Sequence, residues 1–148
     1  MIIKSFELQR KKIDKKIILF YGQNEGLKKE EIEKIKIKTD KKIFNYEEKQ
    51  ILENKENFFN EILTGSLFDD QKIIVINRAS EKILSIIEIL LEKKIEDKII
   101  LINAAILDKK SKLRNLFEKD ENLICVPFYQ DNKETLIRLA QNFFKNLN

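Results

Sequence analysis

The sequence predicts a three-layer α/β domain built on a five-stranded, mainly parallel sheet with helices on both faces. Five short apolar runs are rich in β-branched and aromatic residues and are mostly unbroken, which is typical of strands buried on both faces. They cover residues 17–21, 43–46, 73–76, 99–102 and 123–126. Charged segments with helical spacing separate the runs. Strand–helix alternation of this kind favours parallel strands joined by right-handed crossovers.

Four helices are predicted between these strands, because apolar residues recur there three and four positions apart. The residues that define them are Leu27, Ile32 and Ile35; Phe58, Phe59, Ile62 and Leu63; Ile83, Ile86, Ile87, Leu90 and Leu91; and Leu113, Leu116 and Phe117. The strand pattern stops at Pro127, and residues 131–134 have the composition of a loop. A last helix is predicted over residues 135–147, with an apolar stripe too wide for one sheet to cover. We therefore expect one domain over residues 1–130 and the start of a second, helical and truncated domain over 131–148.

Composition excludes several classes of enzyme. The 148 residues contain no His, so Ser-His-Asp and Cys-His catalysis are excluded. The single thiol, Cys125, supports neither a disulfide nor a cysteine zinc cluster. Because Cys125 lies inside an apolar run, we predict that it is buried. We expect no metal site and no cofactor.

Charge and hydropathy bear on partners and location. No apolar run approaches the roughly 18 residues of a membrane span, and Glu7 and Arg10 interrupt any secretory signal at the start. These observations predict a cytoplasmic protein with no membrane partner. The net charge is +4, and residues 1–50 hold 14 basic against 9 acidic residues. This third could bind nucleic acid phosphates or could be a solvated face, so a DNA-binding module is one alternative function.

Residues 22–29 lie where a phosphate-binding loop would lie, between the first predicted strand and the first predicted helix. The pattern G-x-x-x-x-G-K-[ST] requires Gly at position 27 and Ser or Thr at position 29, where this chain has Leu27 and Lys29. The carboxylate of Glu25 would also lie where phosphate oxygens bind. A P-loop-type, nucleotide-dependent enzyme is thus the second alternative function, and the loop itself contradicts it.

What remains of the loop is Gly22, Gly26 and Lys28, which we interpret as a degenerate, non-functional nucleotide loop: a tight turn and a helix start. A Walker B acid is missing as well, since the third and fourth predicted strands end near Asn77 and Asn103. A phosphorelay receiver needs an acidic pair after the first strand and a phosphoaccepting Asp after the third; this chain has Gly22-Gln23 and Asn77-Arg78 there, so that class is excluded.

Three segments, in order along the chain, resemble the delta subunit of the bacterial DNA polymerase III clamp loader. They are residues 17–27, residues 64–68 followed by 71–75, and residues 102–104 followed by 107–118, with the acidic pair Asp69-Asp70 a departure from the family. The resemblance implies a P-loop-NTPase-like (AAA+-like) domain that neither binds nor hydrolyses ATP and has no enzyme activity of its own. It further implies that the protein binds the ring-shaped sliding clamp and helps to open it for loading onto DNA. Other clamp-loader subunits are implied partners, with DNA contacted through the assembled complex.

The resemblance also implies a clamp-binding element, the pair Leu67 and Phe68, preceded by Ser66. On their own terms these residues follow a predicted helix that ends near Gly65, and two aspartates come directly after them. Two adjacent large apolar side chains in that position suit a hydrophobic pocket on a partner. The alternative is that Leu67 caps the core and Phe68 packs on the strand below.

Overall fold

A central sheet of five strands organises the chain. The computed structural model describes residues 1–8, 10, 14–64, 72–93, 95, 97–129 and 133–147. The strands are β1 (Ile17–Tyr21), β2 (Lys42–Glu47), β3 (Lys72–Ala79), β4 (Lys98–Ala104) and β5 (Leu123–Pro127). Their order across the sheet is β2-β3-β4-β1-β5, and every pairing between neighbours is parallel. The predicted α/β class and strand number are confirmed, and the sheet is entirely rather than mainly parallel.

Helices cover both faces of this sheet. They are α1 (Glu25–Ile37), α2 (Glu48–Glu53), α3 (Lys55–Leu63), α4 (Leu84–Glu92), α5 (Lys112–Lys119) and α6 (Lys133–Asn146). One core cluster joins alternate strand residues to buried side chains of α2, α3, α4 and α5. The second joins the intervening strand residues to α1 and to the N-terminal segment. Two separate cores on opposite faces confirm the predicted three layers.

The two edge strands, β5 and β2, differ in how far they are covered by the rest of the chain. Beyond β5, the start of the chain adds a short parallel bridge, in which the Ile3 amide donates to the Cys125 carbonyl over 2.9 Å. By contrast, β2 is partly exposed along its length, including Lys42, Phe44 and Asn45. The prediction that every strand is covered on both faces is therefore wrong for β2, because an edge strand has one neighbour and less helix above it.

Two local differences from the sequence prediction concern helices. The short helix α2 starts directly where β2 ends and was not anticipated, since six residues are too few to show a helical period. Helix α6 begins at Lys133, inside the stretch predicted to be a loop. Cys125 is buried as predicted, and this burial raises the pKa of its thiol to about 12.

Candidate functional site

The turn that follows β1 is closed against the far end of β5. Gly22 has φ +123°, a conformation that side-chain-bearing residues rarely adopt. Its amide donates to the Ala105 carbonyl over 2.9 Å, and the Phe128 amide donates to the Tyr21 carbonyl over 2.8 Å. A Cβ atom at position 22 would lie 2.1 Å from the Phe128 carbonyl oxygen. The backbone of Phe128 thus occupies the space directly beside the turn.

The first turn of α1 is capped from within the chain. The Asn24 side-chain oxygen accepts from the Leu27 amide over 3.1 Å, and the Asn24 carbonyl accepts from the Lys28 amide over 3.1 Å. The Glu25 amide donates to the Gln23 carbonyl over 2.9 Å. A phosphate-binding helix start leaves its first amides open to the ligand. Here the amides of Asn24, Glu25 and Leu27 already have partners, and the Lys28 bond is the ordinary first bond of the helix.

Lys28 is the one basic residue left from the phosphate-loop pattern, and its side chain is fully buried. The ammonium donates to the Ala104 carbonyl at the end of β4 over 2.7 Å and pairs with the Glu25 carboxylate at 2.6 Å. Charge-assisted bonds of this length are among the stronger polar contacts in a protein. Lys28 therefore ties α1 to the sheet from inside the domain.

Gly26, the remaining residue of the predicted degenerate loop, has a different environment from Gly22. Apart from its chain neighbours and the backbone of its own helix, a Cβ atom there would approach no described atom more closely than the Asn24 side-chain oxygen at 3.9 Å, and its φ is not in the left-handed range. The structure therefore brings Gly22 and Lys28 into one closed arrangement and gives Gly26 no steric role in it.

The predicted clamp-binding residues, Ser66, Leu67 and Phe68, lie outside the described residues. Their flanks are described: α3 ends at Leu63, the Thr64 amide donates to the Asn60 carbonyl over 3.1 Å, and β3 begins at Lys72. Because all five strands are parallel, Lys72 at the start of β3 lies at the amino edge of the sheet. Gly22 lies at the opposite, carboxyl edge, directly after β1.

Two carboxylates that the sequence analysis did not identify accept hydrogen bonds from loop residues at the carboxyl edge of the sheet. Glu48 accepts from both the amide and the hydroxyl of Ser80, the latter over 2.7 Å, and Glu81 accepts from the Ser111 hydroxyl and the Leu113 amide. Both carboxylates act within the fold. No sequence signal identifies them, because the partners lie about 30 residues away along the chain.

A cation lies over an aromatic ring beside β1. The Arg114 guanidinium is 5.2 Å from the ring centroid of Tyr21 and donates to Glu118 over 2.7 Å. Burial raises the pKa of the Tyr21 hydroxyl to about 12, so this group stays neutral.

Among the described residues, no group of three or more acidic, Cys or His side chains could hold a metal ion. None of the helices in the described part of the chain is long and apolar enough to cross a bilayer.

Comparison with known proteins gives one family. The family described as DNA polymerase III, delta subunit, matches residues 18–127, and no curated protein matches the chain. The matched region runs from β1 to the end of β5 and includes both the turn at Gly22 and residues 66–68. Since this match covers most of the chain and nearly the whole sheet, the chain belongs to the family of the DNA polymerase III delta subunit, a component of the clamp loader in DNA replication.

Proposed function

We propose that this protein binds the sliding clamp through Leu67 and Phe68, with Ser66 before them, and helps to open the ring for loading onto DNA. The observation that carries this proposal is the family match over residues 18–127, which includes the pair. The described flanks are compatible with it, because Thr64 is exposed and Lys72, the first residue of β3, lies at the edge of the sheet opposite the closed turn.

The energetic role of the pair follows from its chemistry. Each large apolar side chain that enters a partner's pocket contributes on the order of 1–3 kcal/mol. Binding alone does not open a ring, since a ligand shifts an equilibrium only by its difference in affinity for the two states. We therefore expect the protein to bind the open clamp more tightly than the closed one.

Binding to the clamp is tested by comparing the wild type with a Leu67→Ala/Phe68→Ala variant, using the sliding clamp of the same organism on a biosensor. We expect wild-type binding at micromolar or lower Kd and a loss of at least about tenfold in the variant. The matched control is Phe143→Ala/Phe144→Ala, which removes two exposed apolar side chains from α6. Equal binding by both double variants would move the contact away from residues 66–68, and no binding by the wild type would reject the proposed partner.

We further propose that the protein is non-catalytic and that the loop with Gly22, Gly26 and Lys28 holds no nucleotide. The support is that Phe128 lies against the turn, the amides of Glu25 and Leu27 at the start of α1 are engaged and the Lys28 ammonium is buried. Calorimetry with millimolar ATP and Mg²⁺ is expected to give no heat of binding. A saturable heat that disappears in a Lys28→Met variant would overturn this part of the proposal.

The remaining parts of the proposal concern context. We propose that the protein works in the cytoplasm with the other clamp-loader subunits and reaches DNA through the assembled complex.

We also propose that residues 1–130 form the clamp-binding domain and that α6 belongs to a second, helical domain. The support for the boundary is a set of exposed large apolar side chains on α6 and directly after it: Leu136, Ile137, Leu139, Phe143, Phe144 and Leu147.

A further inference from the structure

Strand β2 is an edge strand whose outer side has no strand partner among the described residues. Within the described part of the chain it pairs only with β3, from Lys42 opposite Lys72 to Glu47 opposite Asn77. At the other edge of the sheet, β5 is extended by the bridge from the start of the chain. The outward amides and carbonyls of a bare edge strand form a template for a further strand.

The centre of β2 lacks the devices that usually keep an edge strand from pairing. Proline, a bulge, an inward-pointing charge or a very short strand each discourages a new partner. Residues 43–46 are Ile, Phe, Asn and Tyr, without proline or charge, and their register with β3 is regular. The charged residues of β2, Lys42 and Glu47, lie at its two ends. The middle of this edge is therefore open to a strand that matches it.

Two aromatic side chains of β2 are held in place on one face of the sheet. Phe44 and Tyr46 are two positions apart along the strand and so share a face. The Tyr46 hydroxyl donates to the Glu61 carboxylate, and its ring centroid lies 5.1 Å from that of Phe58. The Lys72 ammonium lies 5.4 Å from the Phe44 ring centroid. These contacts come from α3 and β3, so they orient both rings and leave the side of β2 away from β3 to a partner.

A groove opens on the same face beside these two rings. Its volume is about 380 Å³, and it is lined by Phe44, Tyr46, Glu61, Ile62, Lys72 and Ile74. Phe44 is 38% exposed, so part of its ring faces solvent. Side chains of neighbouring strands stand on the same two faces of a sheet. A strand added along the outer side of β2 would therefore place alternate side chains beside this groove.

The sequence of β2 is complementary to itself in one antiparallel register. When Asn45 lies opposite Asn45 of a second copy, Phe44 lies opposite Tyr46 of that copy, and symmetry repeats the contact. Cross-strand aromatic pairs stabilise a sheet, and one amide side chain can both donate to and accept from another. A register centred on Phe44 would instead place Asn45 opposite Ile43. A second copy carries the matching sequence by necessity, whereas an unrelated strand does not.

We propose that β2 pairs antiparallel with β2 of a second copy of this chain, centred on Asn45, and joins the two sheets into one. The interface is isologous, since the same patch serves on both copies. In strand addition of this kind, main-chain bonds give affinity and alternate side chains give specificity. The contact uses neither residues 66–68 nor the turn at Gly22, so it goes beyond the proposed clamp binding and does not depend on it.

The test follows self-association of the full chain by sedimentation velocity, over roughly a hundredfold range of micromolar concentration. The side chain of Asn45 is exposed, so Asn45→Lys and Asn45→Glu leave the core of the monomer intact. In the proposed dimer each variant sets two like charges opposite each other, and we expect each to weaken dimerisation at least about tenfold. An equimolar mixture sets opposite charges together, and we expect it to associate at least as tightly as the wild type.

Matched controls separate this edge from other surfaces. Ser85→Lys and Ser85→Glu add the same charges at an exposed position of α4, and we expect them to leave dimerisation unchanged. Phe143→Ala/Phe144→Ala removes exposed apolar side chains of α6, which form the competing contact surface. Circular dichroism establishes that each variant is folded. A monomeric wild type, full dimerisation by both Asn45 variants, loss only in the α6 variant, or no recovery in the mixture would overturn the proposal.

Discussion

Gly22→Ala is expected to lower the free energy of unfolding by about 3 kcal/mol or more. Two effects combine at this position. A Cβ atom would lie 2.1 Å from the Phe128 carbonyl oxygen, which belongs to the backbone and cannot move away by a change of rotamer. The φ of +123° is also strained for any residue with a side chain. Urea unfolding followed by circular dichroism measures the change.

The chain offers a matched control in Gly26→Ala, four residues away. Position 26 lies in the first turn of α1, and the nearest atom to a new Cβ would be 3.9 Å away. Alanine there is expected to be neutral or to stabilise the fold by up to about 1 kcal/mol, because it restricts the unfolded chain and favours the helix. Equal urea midpoints for the two variants would contradict the closed turn described here.

Lys28→Ala is expected to destabilise the fold by about 3 kcal/mol. The substitution removes a charge-assisted donor from the Ala104 carbonyl and empties the space of a fully buried side chain. Lys28→Met keeps most of the volume and loses only the polar contacts, so its expected cost is smaller, about 1–2 kcal/mol. The difference between the two variants separates packing from hydrogen bonding and is measured by the same urea unfolding.

Glu25→Gln serves as the control for the ion pair itself. The Glu25 side chain is largely exposed, so its pair with Lys28 is screened and is expected to contribute less than about 1 kcal/mol. A Lys28→Ala variant no less stable than Glu25→Gln would show that the buried bond to β4 contributes little. That result would also reopen the question of whether Lys28 is available to a ligand.

The sequence predicted the strands well because their signal is local. The run over residues 17–21 has the bounds of β1, and the other four runs lie inside β2 to β5. Unbroken β-branched stretches have few ways to be buried other than as inner strands of a helix-covered sheet. The same reasoning failed for β2, because a composition suited to burial does not reveal which strand lies at the edge.

The geometry of the site could be predicted from the sequence less well than the strands could. In the sequence, Gly22 and Gly26 are equivalent remnants of a loop, and Lys28 is one lysine among many. The packing of Phe128 against the turn and the φ of +123° together make Gly22 difficult to replace, and the approach of β4 to α1 buries Lys28. Phe128 and Ala104 are distant along the chain, and no local period or spacing encodes such a contact.

Residues close together in the chain were enough to predict the α/β class, the strand positions, the broken phosphate loop and the resemblance to the delta subunit. The strand order, the closure of the turn at Gly22 and the alignment of Lys42, Lys72 and Lys98 at one edge became visible only in the folded chain. These three features depend on which strands pair. Pairing is set by long-range packing of the two cores on either side of the sheet.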